Sequence, residues 1–493
     1  MTPTILPLFD WDAVEARSDL DRFFLVRDNL PDQPLISALE NLRGQGRDDY
    51  PVSAMWNAVV AGVVFQHDSI ESLIRELSRN PSLLQACGFD ALPKQKKPLA
   101  ELVRNLNTGK LEIYWPEPEI AYYGVPNSWN FSRFLNNLIA LEAQHSLVSG
   151  MMLTLREQLM AIVPDFGEHM GYDGKSIESH STGQQDRQTG KTSDPDANWG
   201  KHETTGVDNK TGKPWKTVKS WFGYTLHLIA DTQYEIPLAF HLTPASHSEQ
   251  GELRKMLVEV FDETPELANR CEDFSADRGL DCAETKALLW DTYRVRPLID
   301  TRELWREEKQ LPDYDPSKPI TRPLFTDRVD TIIHTEKGNV HCLDPITGEQ
   351  RDLAFQGFEA DRNCLKYRCP AATYHLTCQG QAQCHRAGDV SPGAYGRIIR
   401  INLEEQNRRI FTPTPYGSPS WNRGYARRSA LERINNRIDH GYGFEKHFIR
   451  GYAKMKTRIG LALVIMMAMA LGHAKAGRHD QMRSLVRPIL QAA

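Results

Sequence analysis

A mixed α/β fold, a sheet with helices packed on it, is predicted for the middle of this sequence, behind a helical N-terminal part. Three observations predict it. Two alternating runs, WFGYTLHLIA and YEIPLAFHLT, flank Asp231-Thr232-Gln233 and read as a hairpin. Helix-like GELRKMLVEVF comes next, then strand EDFSAD, helix CAETKALLWDTY and strand VRPLID, an order that builds a mixed sheet with helices against it. Up to about residue 165, by contrast, apolar residues recur at helical spacing.

In chain order, residues 1–165 form the helical unit, whose apolar stripes are read as packing faces. MWNAVVAGVVF and SIESLIRELSRNPSLLQACGF carry the first stripes, with Ser69 as N-cap and Gly88 as stop. A second long helix is predicted through FSRFLNNLIALEAQHSLVSGMMLTLREQLMAIV. Residues 166–305 hold the sheet. HMGYDG reads as a short strand running into an Asp-Gly turn, and the polar, lysine-bearing stretch from Lys175 to Ser220 reads as one long loop. Residues 306–420 are an insert bounded by Pro-rich 308–325 and by FTPTPYGSPS, with a cysteine cluster over 342–385. Residues 421–493 carry basic helices, from near Tyr425 to about residue 474, broken near Gly441 to Gly443.

Charge is unevenly distributed. The chain of 493 residues has a net charge of −5, yet from Arg386 onward 19 Lys and Arg face 7 Asp and Glu, a net of +12 against −17 for the remainder. Such asymmetry suggests a basic face for a polyanion. The N-terminal residues have acidic groups where a secretion signal needs basic ones, and the longest apolar run, Leu461 to Leu471, is too short to cross a bilayer by itself. That run is expected to be a buried helix, and the protein to be cytoplasmic and nucleoid-associated, with no membrane partner.

Asp173 and Asp277 each end an apolar strand before a glycine-containing turn, and ions gather beyond the carboxyl ends of strands. Two carboxylates there repel, and bound Mg²⁺ relieves the repulsion. A lone Asp-Gly is more often a simple turn. Tyr425, Arg428 and Glu432 stand at i, i+3 and i+7, one helix face offering a carboxylate to a metal and a guanidinium fork to a phosphate. By spacing alone, a surface Arg428–Glu432 ion pair is the plainer reading.

At these residues the chain resembles the DDE transposases of bacterial insertion sequences. YDGKSI carries the family's first acid at Asp173, and SDPDANW, FGYTLHLIAD, IPL and LTPA resemble the family's next stretch. SADRGLD carries the second acid at Asp277; YARRSALE resembles the tyrosine–arginine–glutamate signature and puts the third at Glu432. YPVSAMWNAVVAGVVF, SIESLIRELSRN and FSRFLNNL are similar to the family's N-terminal domain. The family often has a lysine seven residues after the glutamate; here Asp439 stands there, and Arg433 or Arg437 is expected to take over that phosphate contact. Glu445 is the alternative third acid.

The resemblance implies a ribonuclease-H-like catalytic domain, two Mg²⁺ or Mn²⁺ ions on Asp173, Asp277 and Glu432, cleavage at an element's ends, and transfer of the freed 3′-OH to target DNA. It implies double-stranded DNA as partner and a homodimer on that DNA. Arg428 would orient a phosphate beside Tyr425, and Lys216 and Lys219 would follow the backbone at the exit of the polar loop. Two rivals stand beside this: a catalytically silent DNA-binding descendant, and a structure-selective nuclease with the same metal site.

The cysteines offer a second, separate site. Cys364-x4-Cys369-x8-Cys378-x5-Cys384-His385 has soft ligands for tetrahedral zinc without paired Cys-x2-Cys knuckles, against the alternative of reduced thiols. His227, His241 and His247 are expected to be structural or surface residues.

Overall fold

The structure, a computed structural model, describes residues 20–484 apart from 45–49, 93–100, 105–108, 115–123, 186–190, 208–213, 313, 316–317, 328–329 and 388–395. The first 19 residues, on which the expectation about a secretion signal rests, lie outside the described residues.

The N-terminal part contains helices α1 (Asp21–Arg27), α2 (Gln33–Arg43), α3 (Val52–Val64), α4 (Ile70–Arg79), α5 (Pro81–Cys87), α6 (Ser128–His145) and α7 (Leu147–Ile162). Ser69 closes a capping box with Ser72 at the start of α4, and Gly88, at φ +98°, ends α5. The long helix expected beyond residue 128 is instead two, meeting at a 71° bend. Ser146 adopts φ +49° there, and the buried Glu142 carboxylate accepts Val148 N–H at 2.7 Å, capping α7 where a helical ladder would have continued. Pro81, lacking an N–H, separates α4 from α5 in the same way. A short antiparallel ribbon, β1 (Glu101–Arg104) with β2 (Leu111–Tyr114), means this part is not all-helical.

The main sheet is built from β3 (His169–Glu178), β4 (Asn198–Val207), β5 (Pro214–Asp231), β6 (Ile236–Pro244), β7 (Asp273–Ala276) and β8 (Arg296–Ile299). Its inner order is β6-β5-β3-β7-β8; β6, β5 and β3 run antiparallel in turn, while β3, β7 and β8 are parallel. Helices α8 (Glu249–Glu263) and α9 (Pro265–Arg270) lead from β6 to β7, and α10 (Ala283–Ala287), continued by a π-turn, leads from β7 to β8. The expected mixed α/β architecture is present.

The polar stretch expected as a loop is mostly strand. β4 pairs with the first half of β5 from Asn198↔Gly223 to Val207↔Pro214, so the hairpin extends beyond the sheet. Trp199, Trp215 and Val218 are exposed on it. Both faces of this extension meet solvent, so no one-sided apolar alternation marks it in the sequence.

The insert carries a four-stranded antiparallel sheet, order β12-β11-β10-β9, made of β9 (Thr321–Pro323), β10 (Ile332–Thr335), β11 (Val340–Leu343) and β12 (Gln350–Asp352). A second antiparallel sheet joins β13 (Ala354–Glu359), β14 (Cys364–Arg368) and β15 (Ile398–Asn402), with helices α11 (Pro370–Tyr374) and α12 (Gln381–Ala387) between β14 and β15. Ile332, Val340, Leu365, Tyr367, Ile399 and Phe411 give it a small core of its own. Buried Lys286 docks it on the main sheet, donating to Arg409 O at 2.9 Å while pairing with Asp281 at 2.8 Å.

Three helices complete the fold: α13 (Pro419–Ala426), α14 (Ser429–Asn436) and α15 (Tyr452–Lys475). α15 is apolar and long enough to span a membrane, but 94% of its most apolar window is buried inside the fold. It packs on α1, α7 and β6, so the N-terminal helices and the sheet share one core. Residue 165 therefore marks a change of pattern, not a gap in packing.

Candidate active site

Tyr172 and Ala276 form the last parallel pair between β3 and β7. Asp173 and Asp277 come next on each strand, and neighbouring strands lie about 4.8 Å apart. Asp277 ends β7 as expected and caps the turn 278–280, its Oδ2 accepting Gly279 N–H at 3.3 Å. Asp173 does not end its strand. β3 continues through Glu178 against β5, so the Asp-Gly there is mid-strand and not a turn. Gly174 serves a different purpose: a Cβ on it would stand 2.9 Å from the Glu249 carboxyl carbon. Gly171 similarly lets Leu431 of α14 rest on β3, since a Cβ would meet Leu431 at 3.0 Å and Ser275 Oγ at 2.8 Å.

That close approach brings Glu432 beside the strands. Tyr425, Arg428 and Glu432 do not lie on one continuous helix: α13 ends at Ala426, and the junction is tightened by bonds from Ala430 N–H to Arg427 O and from Leu431 N–H to Arg428 O, both 2.9 Å. Arg428 still reaches Glu432 at 2.9 Å, with its guanidinium 5.9 Å from the Tyr425 ring centre. Tyr425 stacks on Trp421 at 4.6 Å.

The electrostatics report the convergence. Burial first, and then the charges of Asp277, Glu249 and Glu432, push the Asp173 carboxyl up to about 6, with Arg428 pulling it down. Tyr425, Asp277, Glu432 and Asp173 together hold Arg428 charged against its partial burial. Asn435 of α14 donates to Asp173 Oδ2 at 2.7 Å, and Lys175 pairs with Asp439 at 2.6 Å. Glu445 makes its ion pair with His440 instead, at 3.2 Å. Among the described residues no three His, Cys, Asp or Glu side chains close into a ready metal cage.

Glu249, Asn435 and Lys175 escape sequence reasoning. Glu249 occupies the first turn of α8, where an acid is unremarkable because it complements the helix dipole. Lys175 offered a usable signal, since residues two apart share a strand face and Asp173 is two before it.

Arg433 and Arg437 face elsewhere. Both grip the buried Glu235, at 2.8 and 3.1 Å, with Arg483 as a third partner at 3.1 Å. They fasten α14 and the turn after it to the turn before β6, with Arg437 mostly buried and Arg433 half-exposed. Part of the C-terminal basic excess is balanced in the same way, with Arg397, Arg400, Arg408, Arg409 and Arg427 also paired to carboxylates. Lys216 pairs with Glu203 at 2.7 Å on the exposed hairpin, and Lys219 is exposed nearby.

The cysteines regroup. Cys364 and Cys369 lie at opposite ends of β14, about 16 Å apart at strand rise, too far to share one zinc. Cys364 Sγ instead faces Glu359 at 3.6 Å. His385 has its side chain outside the described ones. His227 is buried between Tyr172 Oη at 2.5 Å and Thr243 Oγ1 at 2.8 Å, and His241 sits between Glu252 and Glu259.

No protein-family model matches the chain, and no curated protein matches it.

Proposed function

We propose that this chain is a DDE transposase that cleaves double-stranded DNA at the ends of an insertion sequence and joins the freed ends to target DNA. One observation carries the reading: Asp173 and Asp277 stand side by side past the last parallel pair, within electrostatic reach of Glu432 and Arg428. The order β6-β5-β3-β7-β8 supports a ribonuclease-H-like reading of the sheet.

The donor set fits hard divalent cations. All the acids are oxygen ligands; burial raises Asp173 most and the neighbouring acids add to it by repulsion, which cations relieve. Asp173 and Asp277 would hold two Mg²⁺ or Mn²⁺ ions between them, with Glu432 completing the second. Ions bound there stabilise charge on the attacking and leaving oxygens of an in-line phosphoryl displacement. Asn435 fixes the Asp173 carboxylate through Oδ2. Arg428, braced by Tyr425 and Glu432, presents its fork to a phosphate oxygen. Lys175 supplies the nearby ammonium in place of a helix lysine at 439, once DNA draws it from Asp439. Water attacks first and frees a 3′-OH, which then attacks the target strand. Joining two ends requires two such sites, so a homodimer forms on the DNA, in the cytoplasm.

Incubation of the purified protein with Mg²⁺ and DNA carrying the element's ends tests this. Cleavage leaving 3′-OH ends, followed by joined products, is expected. Cleavage that persists in EDTA, or end binding without cleavage in Mg²⁺ or Mn²⁺, overturns it, and the latter favours the silent DNA-binding rival.

A further inference from the structure

Four cysteines from separate elements line one small cavity in the insert. Cys342 lies on β11, Cys369 between β14 and α11, Cys378 in the loop after α11, and Cys384 on α12. They line it together with Asp344, Arg351, Arg397 and apolar side chains such as Ile332 and Leu353, and the cavity, about 30 Å³, is large enough to admit a single ion. Backbone bonds fix their approach. Cys369 N–H donates to Arg397 O at 2.9 Å, and the Asp344 carboxylate accepts Gly380 N–H at 3.2 Å, tying the Cys378 loop to the end of β11. The four thiols thus border one cavity although they lie up to 42 residues apart in the chain.

The segment from 369 to 384 lacks the usual reason to stay folded. Helices α11 and α12 have five and seven residues, too short to stand alone. Tyr374, which ends α11, and Leu376 after it are 60% and 49% exposed. Something other than apolar burial must hold this segment down.

We propose that Cys342, Cys369, Cys378 and Cys384 bind one structural zinc ion tetrahedrally, clamping α11 and α12 onto β11. Four thiolates suit zinc by softness and geometry. The sulfurs now turn to separate partners, Cys378 to Asp344 and Cys384 to Thr331, each at 3.5 Å. Rotation about χ1 moves a sulfur by about 3 Å, which is the movement that binding uses. Each thiol releases its proton on binding, so uptake tightens as pH rises. The two negative charges left on the zinc–thiolate group face Arg397, whose Nη1 is 3.8 Å from Cys384 Sγ.

The test is elemental analysis of the full-length protein purified without chelator, beside Co²⁺ substitution. About one zinc per chain is expected, and thiolate-to-cobalt charge-transfer absorption typical of a tetrahedral sulfur site. Cys342→Ser and Cys369→Ser lose the metal, while Cys364→Ser keeps it. Metal-free wild-type protein with no cobalt–thiolate band overturns the proposal without needing any variant to fold. Zinc retained in Cys342→Ser, or lost in Cys364→Ser, overturns this ligand set. These readouts do not depend on DNA cleavage, so the transposase reading stands or falls apart from them.

Discussion

Asp173 and Asp277 are the first residues beyond the parallel ladder that Tyr172 and Ala276 close, so two acids leave adjacent strands at the same height. Glu432 arrives from α14, which Gly171 allows to lie close on β3.

Substituting Asp173→Asn, Asp277→Asn or Glu432→Gln is expected to lower cleavage by about a thousandfold or more, as loss of a charge-stabilising group in a reaction centre commonly does. End binding should change little. Gel-shift and cleavage assays on the same preparations check both, and full cleavage in any one variant refutes that residue's role.

Metal and proton compete at Asp173. Its folded pKa is raised to about 6, so the folded state holds a proton that the unfolded chain has already lost. Stability from this group is therefore full below about pH 4 and falls as pH rises through about 6. Millimolar Mg²⁺ should recover it, so the rise in Tm on adding Mg²⁺ grows between about pH 5 and pH 7. Asp173→Asn removes that growth. A Mg²⁺ effect independent of pH counts against the assignment.

Glu235 is buried at the meeting of Arg433, Arg437 and Arg483. Glu235→Gln leaves those cations without their counter-charge and is expected to cost about 3 kcal/mol, the scale for breaking a buried pair. Lys216→Ala, on the exposed hairpin, should leave the urea midpoint essentially unchanged. Urea unfolding of both variants distinguishes a buried anchor from a solvated pair.

His227 titrates in the opposite sense to Asp173. Burial pushes its imidazole down to about 4, so an unfolded chain protonates first as pH falls from 6.5. Its contribution is present above about pH 6.5 and lost toward pH 4, roughly 3 kcal/mol in all. His227→Gln should flatten the acid limb of the stability curve. Placing it in Asp173→Asn protein removes the opposing slope, and an unchanged acid limb there refutes the account.

The helices and strands around the site were legible where apolar residues recur at the period of a strand or a helix. WFGYTLHLIA and YEIPLAFHLT form β5 and β6, GELRKMLVEVF forms α8, and Ser69 and Gly88 punctuate as expected. The β4–β5 extension was not legible, because both its faces are wet. Nor was the break at Ser146, because the Glu142 cap acts across a turn whose sequence still reads as helical.

The sequence by itself determined the order of the elements from β5 to β8, the three candidate acids and the supply of soft ligands, since periodicity and residue chemistry are local properties. Only the tertiary structure decided their company. It set Glu249 and Asn435 beside Asp173, paired Lys175 with Asp439, turned Arg433 and Arg437 toward Glu235, and put Cys342 instead of Cys364 at the cavity of Cys369, Cys378 and Cys384. Those outcomes depend on which strands pair and how closely helices approach, and distances between residues far apart in the chain are fixed by packing alone.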